Sequence, residues 1–230
     1  MRSPAIAALQ DQIRTIGASP DLPRLSWGAG VALRLGAVHE WFGEGADRCD
    51  WHPPLALLSW LVMHARRQGL LDRVVWIGRR VFPFPGFLDP ATLGASLFVD
   101  PPGLEARVWA IDLALRASVC VVGDGTGVAL ACSRRLQLAA GCGRGIGLLA
   151  RPGCEERELS AAATRWRVEP GGAGEGRVAW RATLRRHKDQ PALAADARAW
   201  MVEWDDAKGF VVVPAVVADG ADRAASVASS

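Results

Sequence analysis

Between residues 37 and 150, short apolar runs alternate with segments whose apolar positions recur every three to four residues. This alternation constrains the fold more than any other feature of the chain. The runs are AVHEWF at 37–42, RVVWIG at 73–78, SLFV at 96–99, SVCVV at 118–122 and a last one at 146–150. The segments between them read as helices. One follows Pro53 and Pro54 to about Gln68 with Leu55, Leu58, Leu61, Val62 and Ala65 on its buried face, and Gly69 suits its end. A short one lies near 90–93, a third at 104–116 carries Leu104, Val108, Ile111 and Leu115 on one face, and a fourth spans 132–140. Strand-helix repetition of this kind predicts an α/β fold, a mostly parallel sheet with flanking helices. After Pro152 the pattern changes. Residues 164–169, 177–186, 199–204 and 210–213 read as antiparallel strands with one wet face, and DDAKG at 205–209 as a hairpin turn.

Of the 230 residues, 50% are hydrophobic, enough for one large core. Residues 1–30 read as an N-terminal helix and linker, 31–217 as the main domain and 218–230 as a flexible tail. The helix, at 4–16, sets Ile6, Leu9, Ile13 and Ile16 on a narrow stripe. That stripe suits docking on its own domain or, as a detachable arm, on another protomer or partner. No apolar run approaches the ~18 residues of a membrane helix, and no signal-peptide pattern opens the chain, so a cytoplasmic protein without a membrane partner is expected. The five cysteines contain no CxxC pair, which points to reduced thiols. Cys49 and His52 have the spacing of half a zinc site, but no second half follows, so no metal is expected.

The strand, loop and helix at 37–68 form the place where an α/β nucleotide-binding protein holds phosphate. The chain has only two lysines, Lys188 and Lys208, so nothing near this loop can play the phosphate-reaching lysine. The loop, GEGADRCDWHPP, carries Glu44, Asp47 and Asp50 against Arg48, and its two prolines remove backbone donors. Phosphate is repelled rather than cradled there, and no cofactor is expected.

The order VHEWFG, LALLSWLV, RVVWIG, VCVV, TRWRVEP and the basic hairpin WRATLRRHKDQP resembles the core of the recombinase RecA, and most of all the ImuA family. The resemblance runs from about residue 37 to 213. It implies a RecA-like core and a role in damage-inducible mutagenesis beside RecA and the polymerase-like ImuB. The RecA pattern has an acidic pair where this chain has Gly78, Arg79 and Arg80, and an aspartate where it has Gly123, with Asp124 displaced by one. A degenerate, non-enzymatic member follows: an accessory protein of translesion synthesis that bridges the recombinase and the polymerase-like partner. The alternatives are a damage-induced division inhibitor or a surviving ATPase with an atypical loop.

Other chemistry is poorly supported. Glu40 reads as a structural hydrogen-bond partner of backbone or an arginine, His39 and His64 as satisfied structural imidazoles, and Cys120 as inert packing. Ser59 and Ser133 lack the strained-elbow context of a hydrolase. The contact signal is the hairpin with Arg181, Arg185, Arg186, His187 and Lys188 beside Trp180. It fits a partner surface, a solvated basic turn, or weak salt-sensitive contact with DNA phosphates. Trp166, Trp180, Trp200 and Trp204 share this region, and Trp180 and Trp200 are the candidate contact anchors.

Overall fold

The computed structural model describes residues 22–28, 31–171, 179–195, 198–205 and 209–214. The stripe Ile6, Leu9, Ile13 and Ile16, the tail at 218–230, Arg177 and Lys208 lie outside the described residues.

The chain opens with a hairpin of β1 (Arg24–Gly28) and β2 (Val31–Arg34). There follow β3 (Ala37–Gly45), a two-residue β4 (Trp51–His52), α1 (Leu55–Arg67), β5 (Val74–Ile77), α2 (Pro90–Gly94) and β6 (Ser96–Val99). Next are α3 (Leu104–Arg116), β7 (Cys120–Asp124), α4 (Leu130–Gly143) and β8 (Ile146–Pro152). The last elements are β9 (Thr164–Pro170), β10 (Ala179–His187), α5 (Pro191–Ala195), β11 (Ala199–Asp205) and β12 (Gly209–Pro214). The main sheet runs β6-β5-β7-β8-β3-β9-β10-β11-β12. It is parallel from β6 to β9 and antiparallel from β9 to β12. The α/β class, the mostly parallel sheet and the antiparallel C-terminal strands are therefore as expected.

Among the differences from the sequence reading, three change an element's start or kind most. Residues 24–28 are strand rather than linker, because Leu25 and Trp27 alternate with polar neighbours and are buried, which the adjoining Pro23 and Gly28 conceal. The fourth expected strand starts at Cys120 instead of Ser118, whose φ of 58° places it in a left-handed turn. The helix expected at 132–140 extends to Leu130–Gly143.

Residues alternate across the sheet, so consecutive positions meet different layers. On one face α1 and the β1–β2 hairpin enclose Trp27, Trp41, Trp60, Trp166 and Trp200. Trp41 and Trp166 stack at 5.4 Å and 11°, Trp27 meets Trp166 edge-on at 5.0 Å, and Trp200 meets Trp166 at 5.4 Å. Such pairs add ~0.5–1.5 kcal/mol beyond the area they bury. On the other face α3 and α4 cover Val38, Val121 and Leu149 with Val108, Ile111, Leu115 and Leu136. The buried His39 bonds Thr164 Oγ1 through Nδ1 at 2.8 Å and the Arg34 carbonyl through Nε2 at 3.0 Å. His64 bonds the Ser26 carbonyl and so ties α1 to the hairpin. Both imidazoles are structural. No helix among the described residues is long and apolar enough to cross a membrane.

Candidate functional site

In a parallel sheet the functional crevice lies beyond the carboxyl ends of the strands. Here three segments line it: the β3–α1 loop, residues 78–80 after β5, and residues 124–127 at the end of β7.

The β3–α1 loop folds back on itself. Glu44 pairs with His52 and Gly45 with Trp51, antiparallel. A Cβ at Gly43 would overlap the His52 carbonyl, so only glycine allows this return. The Asp47 carboxylate accepts the amides of Cys49 and Asp50 at 2.7 Å each, which holds its pKa below the ordinary value. The helix that follows is preceded by Pro54, without a side-chain cap. Two loop amides that could face an anion are thus bound to the loop's own carboxylate.

The neighbouring segments close the crevice further. Arg80 lies over the Trp51 ring at 5.5 Å and donates to the Trp51 carbonyl at 3.3 Å. Arg79, at the solvent side, pairs with Asp100 at 2.6 Å. Gly78 has φ of +97°, and a Cβ there would come within 2.8 Å of the Asp124 side chain. Asp124 is itself buried, accepts the Thr126 amide at 2.9 Å and faces Arg107 at 3.5 Å. Arg79 is neutralised by Asp100 and Arg107 by Asp124, while Arg80 is held on Trp51. The residues present do not fit a nucleotide triphosphate bound in the usual mode.

Beside it is an ionic cluster. Arg151, at the end of β8, is 0% exposed and donates to Glu40 at 2.8 Å, to Glu155 at 2.6 and 2.9 Å and to Glu158 at 3.0 Å. Arg165 reaches the other Glu40 oxygen at 2.8 Å, and Ser160 Oγ donates to Glu40 at 2.7 Å. Arg48 joins the β3–α1 loop to Glu155 at 2.6 Å and Glu158 at 2.7 Å, and the Gly127 amide donates to Glu155 at 2.8 Å. The Phe42 ring lies under the guanidinium of Arg165 at 4.7 Å and near that of Arg151 at 5.9 Å. Burial disfavours the Arg151 charge, but Glu40 and Glu155 outweigh it and hold its pKa above the ordinary value. Three carboxylates and three guanidiniums balance, which is the condition for keeping charge out of water.

These contacts fulfil the structural role expected for Glu40. Sequence reading missed Arg151, Glu155 and Glu158, because CEERE at 154–158 looks like an ordinary surface run. Cys120 is buried, and desolvation pushes its thiol up to about 12, in keeping with packing.

Comparison with known proteins follows the same outline. No family model matches the chain, and no curated protein matches its sequence. Among solved structures, the crystal structure of the RadB recombinase is similar, with a TM-score of 0.52 and 12% identity over 76% of this chain and 90% of that one. The fold is RecA-like. Within this core, the connection from β3 to α1 is the self-closed hairpin.

The predicted hairpin residues lie on the antiparallel extension. Arg181 is exposed on β10 opposite Glu169 of β9. Arg185 pairs with Glu156 at 2.7 Å, next to a bulge between Leu184 and Arg186. Arg186 donates to the Ser160 carbonyl at 2.6 Å, while Lys188 is exposed. Arg167 faces Glu156 at 3.6 Å and Glu169 at 3.4 Å. The run is thus less basic than it reads, since Glu156 folds onto Arg185 and Arg186 is held by a backbone carbonyl. Trp180 is partly buried against the aromatic core. Trp200 requires a correction: it is 5% exposed inside the tryptophan cluster, so it is a core residue and not a contact anchor.

Proposed function

We propose that this chain is a non-catalytic, RecA-like accessory protein of damage-induced translesion DNA synthesis, acting in the cytoplasm as a bridge between the RecA recombinase and an ImuB-type polymerase-like partner. The observation that carries the reading is the β3–α1 loop. The core is kept, yet the segment that would cradle phosphate is folded onto itself and joined to Glu155 and Glu158 through Arg48. A fold that keeps its surfaces while its crevice is filled by its own side chains acts through interfaces. Arg181 and Lys188 remain exposed on the antiparallel extension and supply cationic contact points for the acidic surface of a partner, or for weak DNA binding.

Pairwise pull-down with full-length chain tests the bridge. Capture of both RecA and the polymerase-like protein is expected, and capture of neither overturns the reading. Equilibrium titration with ATP and magnesium tests the non-catalytic part. No saturable binding in the micromolar range is expected; saturable binding would return the chain to the ATPases.

A further inference from the structure

β6 is the last strand at one edge of the main sheet, and its outer side is open. It runs parallel to β5, with Val74 beside Ser96 and Trp76 beside Phe98. The Val74 and Gly78 amides donate to the carbonyls of Ala95 and Val99, at 3.2 and 2.8 Å. Backbone groups alternate in direction along a strand, so those of Ser96, Phe98 and Asp100 point away from β5. Among the described residues nothing bonds to these backbone groups. Natural sheet edges are commonly blunted by charge, proline or a covering segment. Ser96–Val99 carries neither charge nor proline, and Pro101 follows only after its end.

The side chains leave this edge apolar on both faces. Leu97, beside Val75 on the α3 side of the sheet, is 59% exposed. Phe98, on the opposite side against Phe82 at 5.3 Å, is 40% exposed. The connection from β5 to β6 adds Phe84 and Phe87, which are 67% and 47% exposed and 5.8 Å apart, and the exposed Leu93 of α2. These five side chains leave on the order of 450–500 Å² in water. Matched against an equal surface, they and the backbone they frame remove about 1,000 Å² in total, the size at which a specific interface begins.

An open ladder accepts another strand, and apolar side chains on both faces select a strand that is apolar on both faces. β6 itself meets both conditions. A closed pair related by a two-fold axis must run antiparallel. With the axis at Phe98, that residue exchanges backbone bonds with its counterpart and Ser96 with Asp100, while Leu97 lies opposite Val99. Each Asp100 then faces a serine, and its charge is already met by Arg79 at 2.6 Å. No like charges oppose each other.

We propose that two copies of this chain pair through β6 in this antiparallel register, joining two main sheets into one, with Phe84, Phe87 and Leu93 flanking the junction.

Sedimentation of the full-length chain tests the pairing. A concentration-dependent dimer is expected, largely formed by about 100 μM, the range of an interface this small. Leu97→Lys sets a charge opposite Val99 twice per dimer and should weaken it by at least about tenfold. The lysine replaces an exposed side chain whose backbone groups face β5, so the sheet is kept. Leu138→Lys on α4 replaces a similarly exposed leucine and should leave the dimer unchanged. In the unaltered chain, the amides of Ser96 and Phe98 should exchange more slowly as concentration rises, a readout that needs no variant. A monomer at every concentration overturns the proposal. So does a dimer that Leu97→Lys leaves intact, or one in which exchange at Ser96 and Phe98 is independent of concentration.

Discussion

The two faces of β3 and β9 bury opposite chemistry one residue apart. Trp41 and Trp166 enter a cluster of indoles, whereas their neighbours Glu40 and Arg165 enter a network of charges. The aromatic face gains with the area each ring removes from water, a gain reduced where the Nε1 groups of Trp27 and Trp41 are buried without a hydrogen-bond partner among the described residues and kept where that of Trp166 donates to Thr164 Oγ1. The ionic face gains only as a complete set, because any charge left alone inside is expensive. One face therefore tolerates trimming gradually, and the other fails at once.

The sharpest way to break the comparison is Arg151→Met. It leaves Glu40 and Glu155 without their shared cation, and a loss of about 3–5 kcal/mol in urea unfolding is expected. Second in size is acid, acting beside the aromatic cluster. Burial lowers the His39 pKa from 6.5 to about 4, and burial also lowers that of His187. Above pH 6.5 the imidazole is neutral in both folded and unfolded chains; below that the unfolded chain takes up the proton first. Stability should fall between pH 6.5 and about 4, by about 3 kcal/mol from His39 alone, and unfolding at pH 7 and pH 4.5 checks it. Double-mutant cycles then compare the faces directly. Glu40 with Arg151 should couple by about 0.5–3 kcal/mol, against about 0.5–1.5 kcal/mol for Trp41 with Trp166. Smallest is Arg185→Ala, which removes a half-exposed pair with Glu156 and should change stability by under about 0.5 kcal/mol.

The sequence made legible whatever depends on local periodicity. The strand at 96–99 and the helix at 104–116 have the expected limits, because a turn signal brackets each one. Local reading gave Glu40 a structural hydrogen bond to backbone or to an arginine, and the partner is arginine. It could not say which, since Arg151 lies 111 residues away and Arg165 lies 125 away. Trp200 was misplaced for a related reason. Tryptophan suits an interface and a core equally well, and only the return of the β1–β2 hairpin over the sheet decides between them. The basic hairpin reads as more basic than it is because Glu156, which pairs with Arg185, comes from another segment.

The tryptophan cluster also makes the molecule its own optical gauge. Trp27 is contributed by the β1–β2 hairpin and sits 5.0 Å from Trp166 and 5.7 Å from Trp41, which belong to the main sheet. Indoles this close share their excitation, so near-ultraviolet circular dichroism and emission colour report whether the hairpin is seated. Lifting that hairpin would change the spectrum before the sheet itself unfolds, with no label attached.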